Sequence, residues 1–152
     1  VDGKADRSSV DDDSAMRPEW ELLALLAISV VGGAIAVYLT LTHFSSLPLL
    51  CTVGGPVNCV SVTHSAYSVI PGTSIPISAL GIAWFAVSAG LARSSLRLVH
   101  FAWAALGVLF VLYLVFVEIV LLHQICEWCT AVHLLVLATF VVALRRLQQT
   151  QP

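Results

Sequence analysis

The residues best suited to chemistry in this chain are Cys126 and Cys129, spaced as Cys-Glu-Trp-Cys, and two further cysteines, Cys51 and Cys59. A dithiol of that spacing, with one member in the first turn of a helix, can cycle between disulfide and thiolate. The unpaired N–H groups of a helix start favour an anionic sulfur and lower its pKa, an effect expected here for Cys129. Cys51 and Cys59 enclose the seven residues Thr-Val-Gly-Gly-Pro-Val-Asn. Gly54, Gly55 and Pro56 permit the sharp reversal that brings two Cα atoms within the roughly 4.4–6.8 Å of a disulfide. Taken alone, that pair reads equally well as a staple for a loop. Two dithiols on one side of a scaffold can instead exchange by thiolate attack, through a mixed disulfide. A four-cysteine zinc site fits poorly, because structural zinc needs a water-soluble fold to organise it. His43, His64 and His123 are too widely spaced for a metal motif, and no metal is expected.

The elements that must position these sulfurs are apolar. Of 152 residues 59% are hydrophobic and only 11% charged, against about 25% charged in soluble domains. Seven basic residues, never more than two adjacent, form no nucleic-acid footprint. The first 21 residues hold seven of the nine acids, leaving Glu118 and Glu127. Residues 1–18 are therefore expected to be a disordered tail. Because residue 1 is Val, the sequence is expected to be a trimmed or tagged version of a longer chain, and no cleavable signal peptide is expected.

Leu22 to Leu41 carries no charge over 20 residues, enough to cross a hydrocarbon core of about 30 Å. Trp20 sits at its start, where aromatic side chains anchor at headgroups. From Thr42 to Ser74 the pattern breaks at Pro48, Gly54-Gly55-Pro56 and Pro71-Gly72, with no Lys, Arg, Asp or Glu. Such a loop is expected to lie on the membrane surface, with a short interfacial helix between Val60 and Ile70. Further spans are expected over Pro76–Leu91, Leu98–Leu122 and Cys129–Leu144, with Pro76 in a first turn, where a missing N–H costs nothing.

The basic residues then set the topology. They fall in the N-terminal tail (Lys4, Arg7, Arg17), the second connection (Arg93, Arg97) and the C-terminus (Arg145, Arg146). Four spans bring those regions to one side, which the positive-inside rule makes cytoplasmic. Both cysteine pairs then face outward, where disulfides persist. The expected fold is an all-α membrane protein, a four-transmembrane-helix bundle over 19–148, with tails at 1–18 and 149–152 and both termini cytoplasmic.

Four spans, a Cys-x7-Cys loop after the first and a Cys-x-x-Cys opening the fourth resemble the bacterial branch of the vitamin K epoxide reductase family, from about Trp20 to Leu147. Ser65, six residues after the second loop cysteine, belongs to the same pattern. The resemblance implies a disulfide relay to a membrane quinone of menaquinone or ubiquinone type, used as a substrate. Cys51 would form the mixed disulfide with a reduced thioredoxin-fold thiol oxidase acting in trans. Cys59 would bridge to Cys126, and Cys129 would face the quinone. The result is disulfide formation in exported proteins at the bacterial plasma membrane.

The sequence departs from the family at two places. Relatives often carry an Asn four residues before the Gly of the second span, where this chain has Ile77. Vertebrate members carry a Tyr four residues after the last cysteine, where this chain has His133. Ile77 cannot hydrogen-bond a quinone oxygen. His133 can, and it shares a helix face with Cys129, so His133 and Ser65 are the expected quinone contacts. Glu118 is within reach of Cys126 as a proton relay, but is expected to snorkel to the outer headgroups. Trp84 and Trp128 are expected to pack or to sit at the interface. Three alternatives stand beside the relay: vitamin K epoxide reduction as the main role, a structural membrane protein with inert disulfides, and the other four-helix disulfide oxidase scaffold. In that last scaffold the Cys-x-x-Cys lies in the first outer loop, so the order found here argues against it.

Overall fold

In lipid, each backbone N–H and C=O must find its partner within its own segment, so an uninterrupted apolar run closes as a helix. The computed structural model describes the backbone of residues 5–45, 48–52 and 54–149, and side chains from residue 19 onward. Among the described residues five α-helices follow in chain order: α1 (Ala5–Phe44), α2 (Cys59–Thr63), α3 (Ile77–Arg93), α4 (Arg97–Phe116) and α5 (Glu127–Gln148). A 3-10 turn, Ala66–Ser68, follows α2, and α4 continues as a π turn, Val117–Leu122. Among the described residues there is no strand beyond isolated bridges.

Among the described residues three segments are long and apolar enough to cross a membrane: Glu19–Phe44, Arg97–Leu122 and Glu127–Gln148. α3 is apolar but has only 17 residues, about 25 Å of helix. It starts after Pro76, which caps the helix through its carbonyl: the Ala79 N–H donates to it at 3.0 Å. α1 differs from expectation at its start. The helix runs from Ala5 through most of the segment expected to be a disordered tail, since extending a helix is far easier than nucleating one; residues 1–4 lie outside the described residues, as do 150–152.

α1 packs on α3 and α5, and α4 on α3 and α5, so the four long helices close a ring. Small residues allow the close approaches. A Cβ at Gly32 of α1 would run into the Phe85 ring of α3, and one at Gly107 of α4 would meet the Trp84 indole. Phe85, Val111 and Val136 form the centre of this core, with Ile28, Trp84 and Val108 packed around them. Large apolar side chains such as Leu23, Leu109 and Leu134 point outward, more than 60% exposed, the surface a bilayer would cover.

Among the described side chains, the basic residues Arg93, Arg97, Arg145 and Arg146 gather at one end. The Arg146 guanidinium donates to the Ala92 carbonyl at 3.0 Å, and that of Arg97 to the Arg146 carbonyl at 3.1 Å. Gln149 donates to the Glu21 carboxylate at 2.9 Å, which ties the C-terminal end of α5 to the start of the apolar part of α1. The cysteines lie at the opposite end.

Candidate active site

The loop between α1 and α3 folds over the mouth of the bundle. Asn58 caps α2, its side chain accepting from the Ser61 N–H at 3.0 Å. The single interfacial helix expected over Val60–Ile70 is instead two short pieces, α2 and the 3-10 turn, divided at His64-Ser65. Ser65 uses its hydroxyl locally, donating to the Val62 carbonyl at 2.9 Å.

Backbone pairing sets the two cysteine pairs together. Val57 forms a parallel bridge with Ile125; Asn58 N–H donates to the Ile125 carbonyl at 3.0 Å and Ile125 N–H to the Pro56 carbonyl at 2.8 Å. Each cysteine adjoining this bridge is fully buried. Cys59 and Cys126 are 0% exposed and share one cluster with Val62, against which Cys51, Trp128 and Cys129 pack. Ile125 is free to pair because the π turn ends at His123, whose left-handed backbone (φ 52°) breaks the helix. A non-glycine residue pays some strain there, though His is among those that tolerate it.

Cys51 and Cys59 form a disulfide with Cα atoms 6.1 Å apart. Cys126 and Cys129 are thiols. The sulfur stabilised by the start of α5 is that of Cys126, not that of Cys129. Cys126 is the N-cap of α5, and its Sγ accepts from the Cys129 N–H at 3.2 Å. Hydrogen bonds from the Cys129 side chain and backbone hold the Cys126 thiol below the usual range, against burial and the nearby Glu118, which push it up.

Glu127 and Trp128, between the two inner cysteines, reach across to the residues on either side of Cys51. The Trp128 indole donates to the Leu50 carbonyl at 2.6 Å, and the Thr52 N–H donates to the Glu127 carboxylate at 3.4 Å. The Tyr38 hydroxyl of α1 accepts from the Leu50 N–H at 3.0 Å, and its ring packs edge-on against Trp128 at 5.2 Å. Sequence reasoning expected Trp128 to pack or to sit at the interface and missed this clamp; its only signal was two polar-capable side chains inside the Cys-x-x-Cys.

Beneath the cluster lies a cavity of about 450 Å³, lined by Cys129, His133, Glu118, Ser65, Trp84 and His43 among others. The rest of its wall is mostly apolar, Ile77 included, with Thr63, Tyr67, Ser68 and Ser78 as the polar exceptions. Of the inner cysteines, Cys129 is the one that faces it. His133 follows Cys129 on the same face of α5 and is buried. The Trp84 indole N–H is buried with no protein partner, a donor on a residue that sequence reasoning expected to pack or to sit at the interface. Glu118 is 6% exposed and its carboxylate lies beside the Cys126 backbone N–H, so it does not snorkel to the headgroups. His43 stacks on His64 at 5.5 Å. Among the described residues no group of three His, Cys, Asp or Glu is arranged to hold a metal.

Such an arrangement can pass electrons from the outer pair, once reduced, to the inner pair as a disulfide, and from the inner pair as a dithiol to a flat apolar acceptor in the cavity. Residues 23–144 match a family model described as the vitamin K epoxide reductase family. No individual curated protein matches the chain.

Proposed function

The chain belongs to the vitamin K epoxide reductase family, and on that premise we propose that it is a four-span thiol:quinone oxidoreductase that forms disulfides through a soluble partner. A reduced thioredoxin-fold protein, acting in trans, attacks Cys51 and releases Cys59 as a thiolate; its second thiol then frees Cys51. With the inner pair oxidised, Cys59 attacks Cys126 and releases Cys129. Cys51 then attacks the Cys59–Cys126 bridge, restoring the outer disulfide and leaving the inner dithiol. Quinone in the cavity takes two electrons and two protons from Cys126 and Cys129 and leaves as quinol. His133 and the Trp84 indole offer donors to its carbonyls, and Ser65 forms part of the wall. Positive-inside sidedness puts the basic end in the cytoplasm and the cysteines outside the bacterial plasma membrane.

The observation that carries this reading is the division of the inner pair. Cys126 is buried beside Cys59, whereas Cys129 lines the cavity. The test is a trapped bridge. The Cys51→Ser, Cys129→Ser double variant is expected to form a Cys59–Cys126 disulfide under mild oxidation, detected by mass spectrometry. Absence of that crosslink rules out direct transfer between the pairs. Quinone-dependent reoxidation of a reduced thioredoxin-like protein by the wild type separates the relay from a membrane protein with inert disulfides.

A further inference from the structure

Glu118 has no role in the relay as described, yet it is the one acidic side chain among the residues that line the cavity. It is nearly buried, and its carboxylate lies beside the Cys126 backbone N–H at the inner pair. It interacts electrostatically with both Cys126 and Cys129. The local backbone is unusual in a way that serves this. Glu118 lies in the single π turn of the chain's described residues, a feature frequent at functional sites. Its carbonyl accepts from the N–H groups of both His123 and Gln124, which pins the residue where helix gives way to the segment carrying Cys126.

The chemistry leaves a task for such a group. Oxidising a dithiol releases two protons, and reducing a quinone consumes two. Sulfur and acceptor meet in a cavity whose walls are mostly apolar, where a proton has few places to go. We propose that Glu118 carries protons from the inner dithiol to the quinone. The carboxylate takes the thiol proton as the sulfur gives up electrons, and the resulting carboxyl passes it to a quinone oxygen. A second transfer, from the other thiol, completes the balance: two thiols and a quinone become a disulfide and a quinol, and Glu118 ends as the carboxylate it began as. This rests on the reading that the cavity takes a quinone. The other titratable side chains facing the cavity are His43 from α1, Tyr67 from the loop, and Cys129 and His133 from α5, with Cys126 beside it.

The experiment is a single turnover: the pre-reduced full-length chain in lipid is mixed with a short-chain ubiquinone analogue, and quinone absorbance is followed. Glu118→Gln keeps the shape and a side-chain oxygen beside the Cys126 N–H but cannot carry a proton. At neutral pH its rate is expected to fall about 100-fold, within the range for a lost acid–base group. The rate should then climb about tenfold per pH unit as hydroxide takes over the base's task. Glu118→Ala should recover rate in proportion to added acetate, which a structural role would not produce. Wild-type helical circular dichroism, together with an intact Cys51–Cys59 disulfide by mass spectrometry before reduction, shows that each variant is folded. Wild-type rates in Glu118→Gln, or a slow Glu118→Ala that acetate leaves unchanged, overturn the assignment. A wild type that does not reduce the quinone at all overturns the reading of the cavity instead.

Discussion

His133 lies one turn beyond Cys129 on α5, about 6 Å along the axis by helical rise, and both face the cavity. One quinone ring can touch both. A donor at His133 would strengthen as negative charge develops on the quinone oxygen. His133→Phe is expected to lower quinone turnover by roughly 10–100-fold, while exchange between the partner and Cys51–Cys59 continues. His133→Tyr should recover much of the rate, because a phenol offers the same donor. Steady-state assays with each donor and acceptor in turn would check this, and normal turnover in His133→Phe would reduce the residue to packing. Residue type and i, i+4 spacing were enough to expect His133 on the face of Cys129, and both line the cavity. They were not enough for Glu118 or for the thiolate site. A carboxyl near a span end reads as a headgroup anchor until the π turn that redirects it is known. Which cysteine receives the helix-start N–H depends on whether the helix begins at residue 127 or earlier, and a shift of a residue or two moves the effect from one sulfur to the other.

At the scale of elements, the loop that carries Cys51 is held from three sides by Tyr38 of α1 and by Glu127 and Trp128 at the start of α5. Trp128→Phe keeps a ring against Tyr38 but removes the donor to the Leu50 carbonyl. With about 1 kcal/mol for the lost bond, the outer disulfide should become about fivefold easier to reduce. Redox titration of Cys51–Cys59 against dithiothreitol, in a background lacking the inner cysteines, measures this directly. An unchanged equilibrium constant would mean that the backbone bridge at Ile125 holds the loop without help. The helices themselves were legible, since charge-free runs of about 20 residues leave lipid little alternative. The loop was legible only in outline. Its Gly and Pro residues announce turns, but the pairing of Val57 with Ile125 joins segments far apart in the sequence, and local composition carries no record of it.

For the molecule as a whole, Arg93, Arg97, Arg145 and Arg146 belong to one end and the sulfurs to the other, as the charge pattern along the chain implied before any packing was known. A reporter fused after Gln148 should therefore be active only in the cytoplasm. A maleimide too polar to cross lipid should label reduced Cys51 in intact spheroplasts, and a C-terminal reporter active outside would reverse the scheme. The bridge from Val57 to Ile125 has one more consequence. Because the two sulfur pairs are tethered on a single chain and pre-aligned by that pairing, their exchange is unimolecular, with an effective local concentration set by geometry rather than by abundance. Thinning the protein in the bilayer with excess lipid, down to one copy per nanodisc, should leave the internal step's rate constant unchanged. Encounters with the soluble partner and with quinone alone would then feel the dilution.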